Sequence, residues 1–325
     1  MIVKKRTVPI RLLQLRALKR RLAKTHPVYP KIAEELSLRE AGYRGEQSLD
    51  YHLNFLSEKD FFILNDVHLI SKKGYGFQMD TIVLCAQFIA ILEIKNIAGN
   101  IRFNDATKQM VRTFKEDKQV LPNPIIQLRR QRIQLTDWLL ERNYPLKPVV
   151  ELIVLTHPSV IIESDHLNNQ TINRFIISDH LPEKLEQLQR RYSTEKLTQK
   201  DLRKMASLLN SEHYKEKPPS LQSYQLHFHD LQKGIRCPEC HQYMMERVVA
   251  KWQCKRCRTY SKYAHYEAIE DYSLLIKSTI TNQELRSFLK ITSSTVSHLL
   301  LTQMKLPRTK KNKYTFYTLN IPISP

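Results

Sequence analysis

The chain has 325 residues, 42% of them hydrophobic, long enough for about two domains with full cores. Its formal net charge of +20 is unevenly spread, with +8 in residues 1–40, +10 in residues 233–325 and only +2 between them. Basic flanks point to a polyanion partner, nucleic acid first and an anionic membrane surface second, while the want of any apolar run near ~20 residues excludes a membrane-spanning helix.

Residues 10–24 set Leu12, Leu15, Leu18 and Leu22 at helical spacing, with Arg and Lys on the other faces. Such a helix can pack on a core with its basic face in water, touch phosphate, or make peripheral membrane contact. The first residues have the positive charge of an export signal without its uninterrupted apolar stretch, so the expected location is the cytoplasm. A second helix is expected over 42–56, with Glu46 on its first turn. Strands are expected at 61–69, 78–85 and 88–97, the first two joined through Gly74-Tyr75-Gly76. A Pro-Asn-Pro turn opens a long helix over 121–142, and the apolar run at 149–156 reads as a buried strand. Together these make a compact α/β domain over 41–160. A connector follows over 161–232, helical in pattern from 181 to 215 and ending in a linker at Pro218-Pro219-Ser220.

Chemistry concentrates in the two strands around Asp80 and Glu93-Ile94-Lys95. Residues two apart on a strand share a face, so Glu93 and Lys95 project together. Charges inside runs this apolar need partners, and a divalent metal with a phosphate would serve. Metal-assisted phosphodiester hydrolysis asks for carboxylates to hold Mg²⁺ or Mn²⁺, a group to position water, and positive charge near the developing phosphorane. Asp80 and Glu93 offer the carboxylates, Lys95 the cation, and Glu46 a further acid from the preceding helix. On the later helix Gln127, Arg130, Gln131 and Gln134 form one polar stripe, suited to a phosphate or to the lysine. A surface ion pair between Glu93 and Lys95 is the alternative reading of the triplet by itself.

Taken in order, Gly42-x-x-Gly45-Glu46, Gln78-x-Asp80, Glu93-Ile94-Lys95-Asn96 and Asn123-Pro124-x-x-Gln127 resemble the nuclease-related domain (NERD), a branch of the PD-(D/E)xK nuclease-like superfamily. The resemblance implies an active site of Glu46, Asp80, Glu93 and Lys95, with Gln127 on a supporting helix. It further implies Mg²⁺ or Mn²⁺ as cofactor and nucleic acid, with DNA expected, as substrate. Many relatives read Gly-Gln-Ile-Asp at the acid; Phe77-Gln78-Met79-Asp80 departs from this but keeps the apolar/acid alternation. The same residues also allow a non-catalytic, nucleic-acid-binding or regulatory protein that uses the nuclease fold as a scaffold.

Cys237-x-x-Cys240 and Cys254-x-x-Cys257 stand 13 residues apart, the spacing of four thiolates that close a tetrahedral, structural Zn²⁺ site. A ribbon is expected over 233–263, with one strand within 244–253 feeding the second knuckle. Lys251, Lys255, Arg256 and Arg258, with Trp252 and Tyr260, offer a basic and aromatic surface for nucleic acid. His241 is surplus to a four-cysteine site, and Cys85 reads as buried packing.

The last module, 264–325, opens on a helix over 265–278. Thr281 and Glu284 form a capping box for the next helix, and a turn at 291–292 leads to a third whose apolar face is Val296, Leu299 and Leu300. A basic loop and a strand over 306–319 then resemble the wing of a winged helix. On that reading Ser294, Thr295, Ser297 and His298 face the major groove, and Arg308, Lys310, Lys311 and Lys313 touch phosphate. A plain helical hairpin for protein contacts is the alternative. The expected fold class is α/β: a PD-(D/E)xK-like nuclease core with a zinc ribbon and a small helical, winged-helix-like C-terminal domain, all preceded by a basic helical segment over 1–40.

Overall fold

The computed structural model describes residues 1–104, 107, 109–145, 148–163, 169–192, 197–216, 218–311 and 313–320. In chain order the first elements are β1 (Ile2–Lys4), α1 (Ile10–Arg21), α2 (Tyr29–Leu53), β2 (Phe62–Ile70), β3 (Gly76–Leu84) and β4 (Ile89–Lys95). There follow β5 (Gly99–Asn104), β6 (Gln109–Phe114), β7 (Asp117–Leu121), α3 (Pro124–Leu140), β8 (Val149–Leu155), β9 (Val160–Glu163), α4 (Asn169–Ile172), β10 (Phe175–Ile177), α5 (Leu181–Arg191) and α6 (Gln199–Ser211). The last group is β11 (Met245–Val248), β12 (Lys251–Cys254), β13 (Tyr260–Ser261), α7 (Ala264–Leu275), β14 (Thr279–Ile280), α8 (Asn282–Leu289), α9 (Ser294–Gln303), β15 (Arg308–Lys311) and β16 (Tyr314–Thr318).

The chain divides into two compact units, the first from residues 1–7 and 40–215, the second from residues 8–39 and 216–325. The 1–40 segment, expected as one piece, is therefore shared out, because β1 is taken up as a sheet strand and α1 as a core helix. The 161–232 connector is divided as well, at residue 215.

Unit 1 is built on a six-stranded sheet in the order β1-β2-β3-β4-β8-β10. The pairs β2–β3 and β3–β4 are antiparallel, while β4–β8, β8–β10 and β1–β2 are parallel. Both faces of the central strands are covered, so β4 and β8 are mostly apolar, broken only by Glu93, Lys95 and Glu151. Side chains of β4 alternate cleanly between two cores. Ile89 and Ile91 join a cluster with Leu128, Leu135 and Trp138 of α3, and Ala90, Leu92 and Ile94 join one with Leu49 and Leu53 of α2. By that alternation Glu93 and Lys95 take the α3 face.

Three expectations for unit 1 are corrected. Helix α2 starts at Tyr29, so Glu46 sits in its interior and not on its first turn. The segment over 181–215 is more than a polar connector. The apolar stripes Leu181, Leu185, Leu188 and Leu202, Met205, Leu209 are fully part of the two cores, and residues 193–196 lie outside the described residues. Strands β5, β6, β7 and β9 form a second, four-stranded sheet that polar sequence had hidden.

In unit 2, Leu12, Leu15 and Leu18 of α1 are at most 1% exposed, and Leu22 just beyond it is 3% exposed. With α1 packed along α7, this apolar face is covered and is not offered to a membrane. Its basic face is not wholly in water either. Arg21 is buried, its Nε donating to Asp271 Oδ2 at 2.8 Å and its NH1 to the Gln232 and Gly234 carbonyls at 2.9 and 2.8 Å. The 244–253 stretch is a hairpin, β11–β12, and not one strand, with the extra turn made at Val249, whose φ is 52°. After it come α7, β14, α8, α9 and the β15–β16 hairpin, whose second strand pairs with β14 to give the order β14-β16-β15. This is the stretch for which a winged-helix-like module was expected, and residue 312 of its hairpin lies outside the described residues. Ile235, Cys237, Trp252, Ile269, Phe288, Leu300 and Tyr317 belong to one cluster, so the ribbon and the helical module share a core.

Among the described residues no helix is long and apolar enough to cross a membrane.

Candidate functional site

Glycine brings the helix of the site to its strands. A Cβ at Gly45 would collide with Asn96 Cβ and stand 2.8 Å from Thr156 Oγ1, so only a bare backbone lets α2 lie against the ends of β4 and β8. Asn96 Nδ2 ties the same helix down through the Ala41 carbonyl at 2.7 Å. Glu46, the next residue, is thereby turned toward the acids of β3 and β4. Gly42, one turn earlier, has nothing within 4 Å of such a Cβ.

Glu93 is only 2% exposed yet fully partnered. Lys95 Nζ donates to Oε1 at 2.7 Å, and Gln127 and Gln131 donate their Nε2 to Oε2 at 2.7 and 3.2 Å. Asn123 caps α3 by accepting from the Ile125 amide at 2.9 Å, which sets the helix phase that delivers both glutamines. Asp80, half-buried on β3, accepts at Oδ2 from the Ile94 amide at 2.9 Å, which ties it to the backbone of the neighbouring strand. Burial first, then repulsion from Glu93 and Glu46, lifts the Asp80 carboxyl well above its ordinary range. Burial also lifts Glu46, against the pull of Arg6. Such mutual repulsion among hard oxygen donors is what a divalent cation relieves, so the donor set fits Mg²⁺ or Mn²⁺.

Sequence reading missed Arg6. Its side chain is 2% exposed; NH1 donates to Glu46 Oε2 at 2.7 Å and Nε to Asp50 Oδ1 at 3.2 Å. NH2 donates to Asn65 Oδ1 and Thr81 Oγ1, both at 3.1 Å. The residue lay in a stretch rich in Arg and Lys, where no spacing sets one cation apart. Gln131 belonged to the predicted stripe without an assigned role; Arg130 of that stripe is exposed.

The four thiols of unit 2 come together as their spacing predicts. Cys237 Sγ lies 3.5 Å from Cys257 Sγ, and Cys240 Sγ lies 3.5 Å from Cys254 Sγ. Sulfurs of a tetrahedral zinc site stand about 3.8 Å apart. Among the described residues these four make the one group of three or more His, Cys, Asp or Glu whose ligand atoms all lie within 4.8 Å of one another. Glu46, Asp80 and Glu93 are not drawn into so tight a cage. Each knuckle turns back through a left-handed residue, His241 at φ 60° and Arg258 at φ 63°.

On the other predicted nucleic-acid contacts, Lys255, Arg256, Ser294, Thr295, His298, Arg308, Lys310, Lys311 and Lys313 are all exposed. Lys255 is paired with Glu246. Ser297 is buried, donating to the Asn282 carbonyl at 3.3 Å, and cannot face a groove. Leu299 is 49% exposed, and Leu301 takes its expected core place because α9 is turned by one residue. Trp252 is likewise inside, its Nε1 donating to His265 Nδ1 at 3.0 Å, so of the expected Trp252–Tyr260 pair Tyr260 alone is exposed, with Lys251 over its ring at 3.7 Å.

Residues 41–156 match the family described as the nuclease-related domain. An uncharacterized protein of Bacillus anthracis is 26% identical over 104 residues, 32% of this chain and 49% of that protein, so the chain spans about half the length of this curated relative. No solved structure matches. The likeness to that family lies within residues 41–156 of this chain.

Proposed function

We propose that the chain is a cytoplasmic, metal-dependent nuclease that hydrolyses phosphodiester bonds, with DNA as the expected substrate. The observation that carries this reading is Glu93. A carboxylate 2% exposed, gripped by Lys95 and two glutamines with Asp80 on the adjoining strand, is expensive to keep inside a core unless it has work to do.

Asp80 and Glu93 are the residues that would hold Mg²⁺ or Mn²⁺. A cation so bound polarises the phosphate and makes water more acidic. The chain's own groups do the rest. Gln127 and Gln131 fix the rotamer of Glu93, so its oxygens stay turned into the site. Lys95 orients the attacking water and offsets the charge that grows on the phosphorane. Glu46 supports the metal acids from α2. In unit 2 we read the four thiols as a structural Zn²⁺ site and the helices with their hairpin as a winged helix. There Ser294, Thr295 and His298 would meet base edges, while Arg308, Lys310, Lys311, Lys313, Lys255 and Arg256 would meet phosphates.

The test is cleavage of a mixed panel of labelled DNA and RNA with Mg²⁺, Mn²⁺ or chelator, wild type beside Glu93→Gln. Metal-dependent cutting lost in the variant supports the nuclease and identifies its substrate. A second reading has its own observation: Arg6 and Lys95 already neutralise Glu46 and Glu93, which a non-catalytic scaffold needs and a metal does not. Binding of nucleic acid without cutting by either protein selects that scaffold.

A further inference from the structure

We propose that Arg6 is a positioning residue of the nuclease-related site, so that the site's competence depends on a segment of chain lying outside the 41–156 match. The inference rests on the metal-binding reading of Asp80 and Glu93 and deepens it.

Residues 1–7 are built into unit 1. Strand β1 pairs in parallel with β2, Ile2 opposite Ile63 and Lys4 opposite Leu64. The Met1 amino group donates to the Phe61 carbonyl at 2.6 Å, and Lys4 Nζ to the Asn65 and Asp66 carbonyls at 2.9 and 2.8 Å. This anchoring sends Arg6 inward two residues past the strand. Its guanidinium then bridges three elements: Glu46 and Asp50 on α2, Asn65 on β2, and Thr81 on β3, the residue after Asp80. A planar donor held from three sides has little freedom to swing away. Glu46 is thus presented with Oε2 committed to the guanidinium, and the helix that carries it is locked to the strand that carries Asp80. Arg6 acts through Glu46 and does not itself meet a metal.

A double-mutant cycle in the full chain tests this: wild type, Arg6→Gln, Glu46→Gln and the pair, each titrated calorimetrically with Mn²⁺ alone at one pH. Supporting residues of this kind typically carry 10–100-fold in metal affinity. The expected result is a Mn²⁺ affinity about tenfold weaker in Arg6→Gln, about as weak in Glu46→Gln, and no weaker in the pair than in Glu46→Gln by itself. Leu185→Ala, a core change elsewhere in unit 1, should lower the unfolding midpoint without moving the affinity, which separates positioning from general loosening. Wild-type affinity retained in Arg6→Gln overturns the inference while leaving the nuclease reading intact. So does a pair whose loss is the product of the two single losses, because Arg6 would then act by another route. Failure of wild type to bind Mn²⁺ at all overturns both.

Discussion

Two glycines one turn apart on α2 should respond to the same substitution with opposite signs. Alanine in place of glycine within a helix gains about 1 kcal/mol from the narrower unfolded ensemble. At Gly42 nothing stands within 4 Å of the new methyl group, so Gly42→Ala should be stabilising by about 0.5–1 kcal/mol. At Gly45 the methyl meets Asn96 Cβ and Thr156 Oγ1, and the first of these is fixed to the backbone just after β4. Relief requires α2 to move off the sheet; overpacking of this kind costs about 1–3 kcal/mol and offsets the helical gain. The net expectation for Gly45→Ala is a loss of about 1 kcal/mol or more, with a gap between the two variants of about 2 kcal/mol. Urea unfolding followed by far-ultraviolet circular dichroism, with amide exchange on α2 to locate the change, reads both. If Gly45→Ala is as stable as Gly42→Ala, the close helix–strand approach is wrong, and the placement of Glu46 falls with it.

Two further outcomes are expected of unit 2. Native mass spectrometry should find one zinc per chain, lost in Cys254→Ser; that variant should show faster amide exchange in 235–260 with unit 1 unaffected, because bound metal contributes folding free energy to so small a sheet. Equal exchange with and without the metal would show the thiols to be structurally idle. His265 is buried, and burial, with the charge of Arg247 second, pulls its imidazole down to about 4, while Nδ1 accepts from Trp252. A depressed group adds stability above its unfolded value near 6.5 and loses it as pH falls toward the folded value. Wild type should therefore lose about 2 kcal/mol relative to His265→Gln between pH 7 and pH 4.5, measured by urea midpoints at each pH. A pH-independent difference would mean that the imidazole is not held neutral.

What could be read from the sequence was what local rules govern. Apolar runs gave β2, β3, β4 and β8 to within a residue or two, and period-2 geometry put Glu93 and Lys95 on one face. The capping box at Thr281 is present, the Glu284 amide donating to Thr281 Oγ1 at 3.3 Å and Glu284 Oε2 accepting from the Thr281 amide at 2.9 Å. Thiol spacing sufficed for Cys237, Cys240, Cys254 and Cys257. Long-range pairing was not legible. Arg6 meets partners between 40 and 75 residues away, and Arg21 meets Asp271 across 250, distances at which one arginine looks like the next. The β5–β9 sheet escaped because GNIRFN, QMVRTF and DKQVL carry too many polar residues for alternation to stand out. On α9, three successive leucines make the helix phase easy to misjudge: Leu299, expected on the apolar face, is exposed, while Leu300 and Leu301 are buried.

The threading of the chain through its two units sets an order of events on the ribosome. Unit 1 has all its residues once residue 215 has been made and can close while the remainder is still in synthesis. Helix α1 ends at Arg21, yet its partner α7 begins only at Ala264. For some 240 residues of elongation its buried leucines must stay uncovered, or be sheltered by something other than their final neighbours. Helix α1 is thus made long before the helix it packs on.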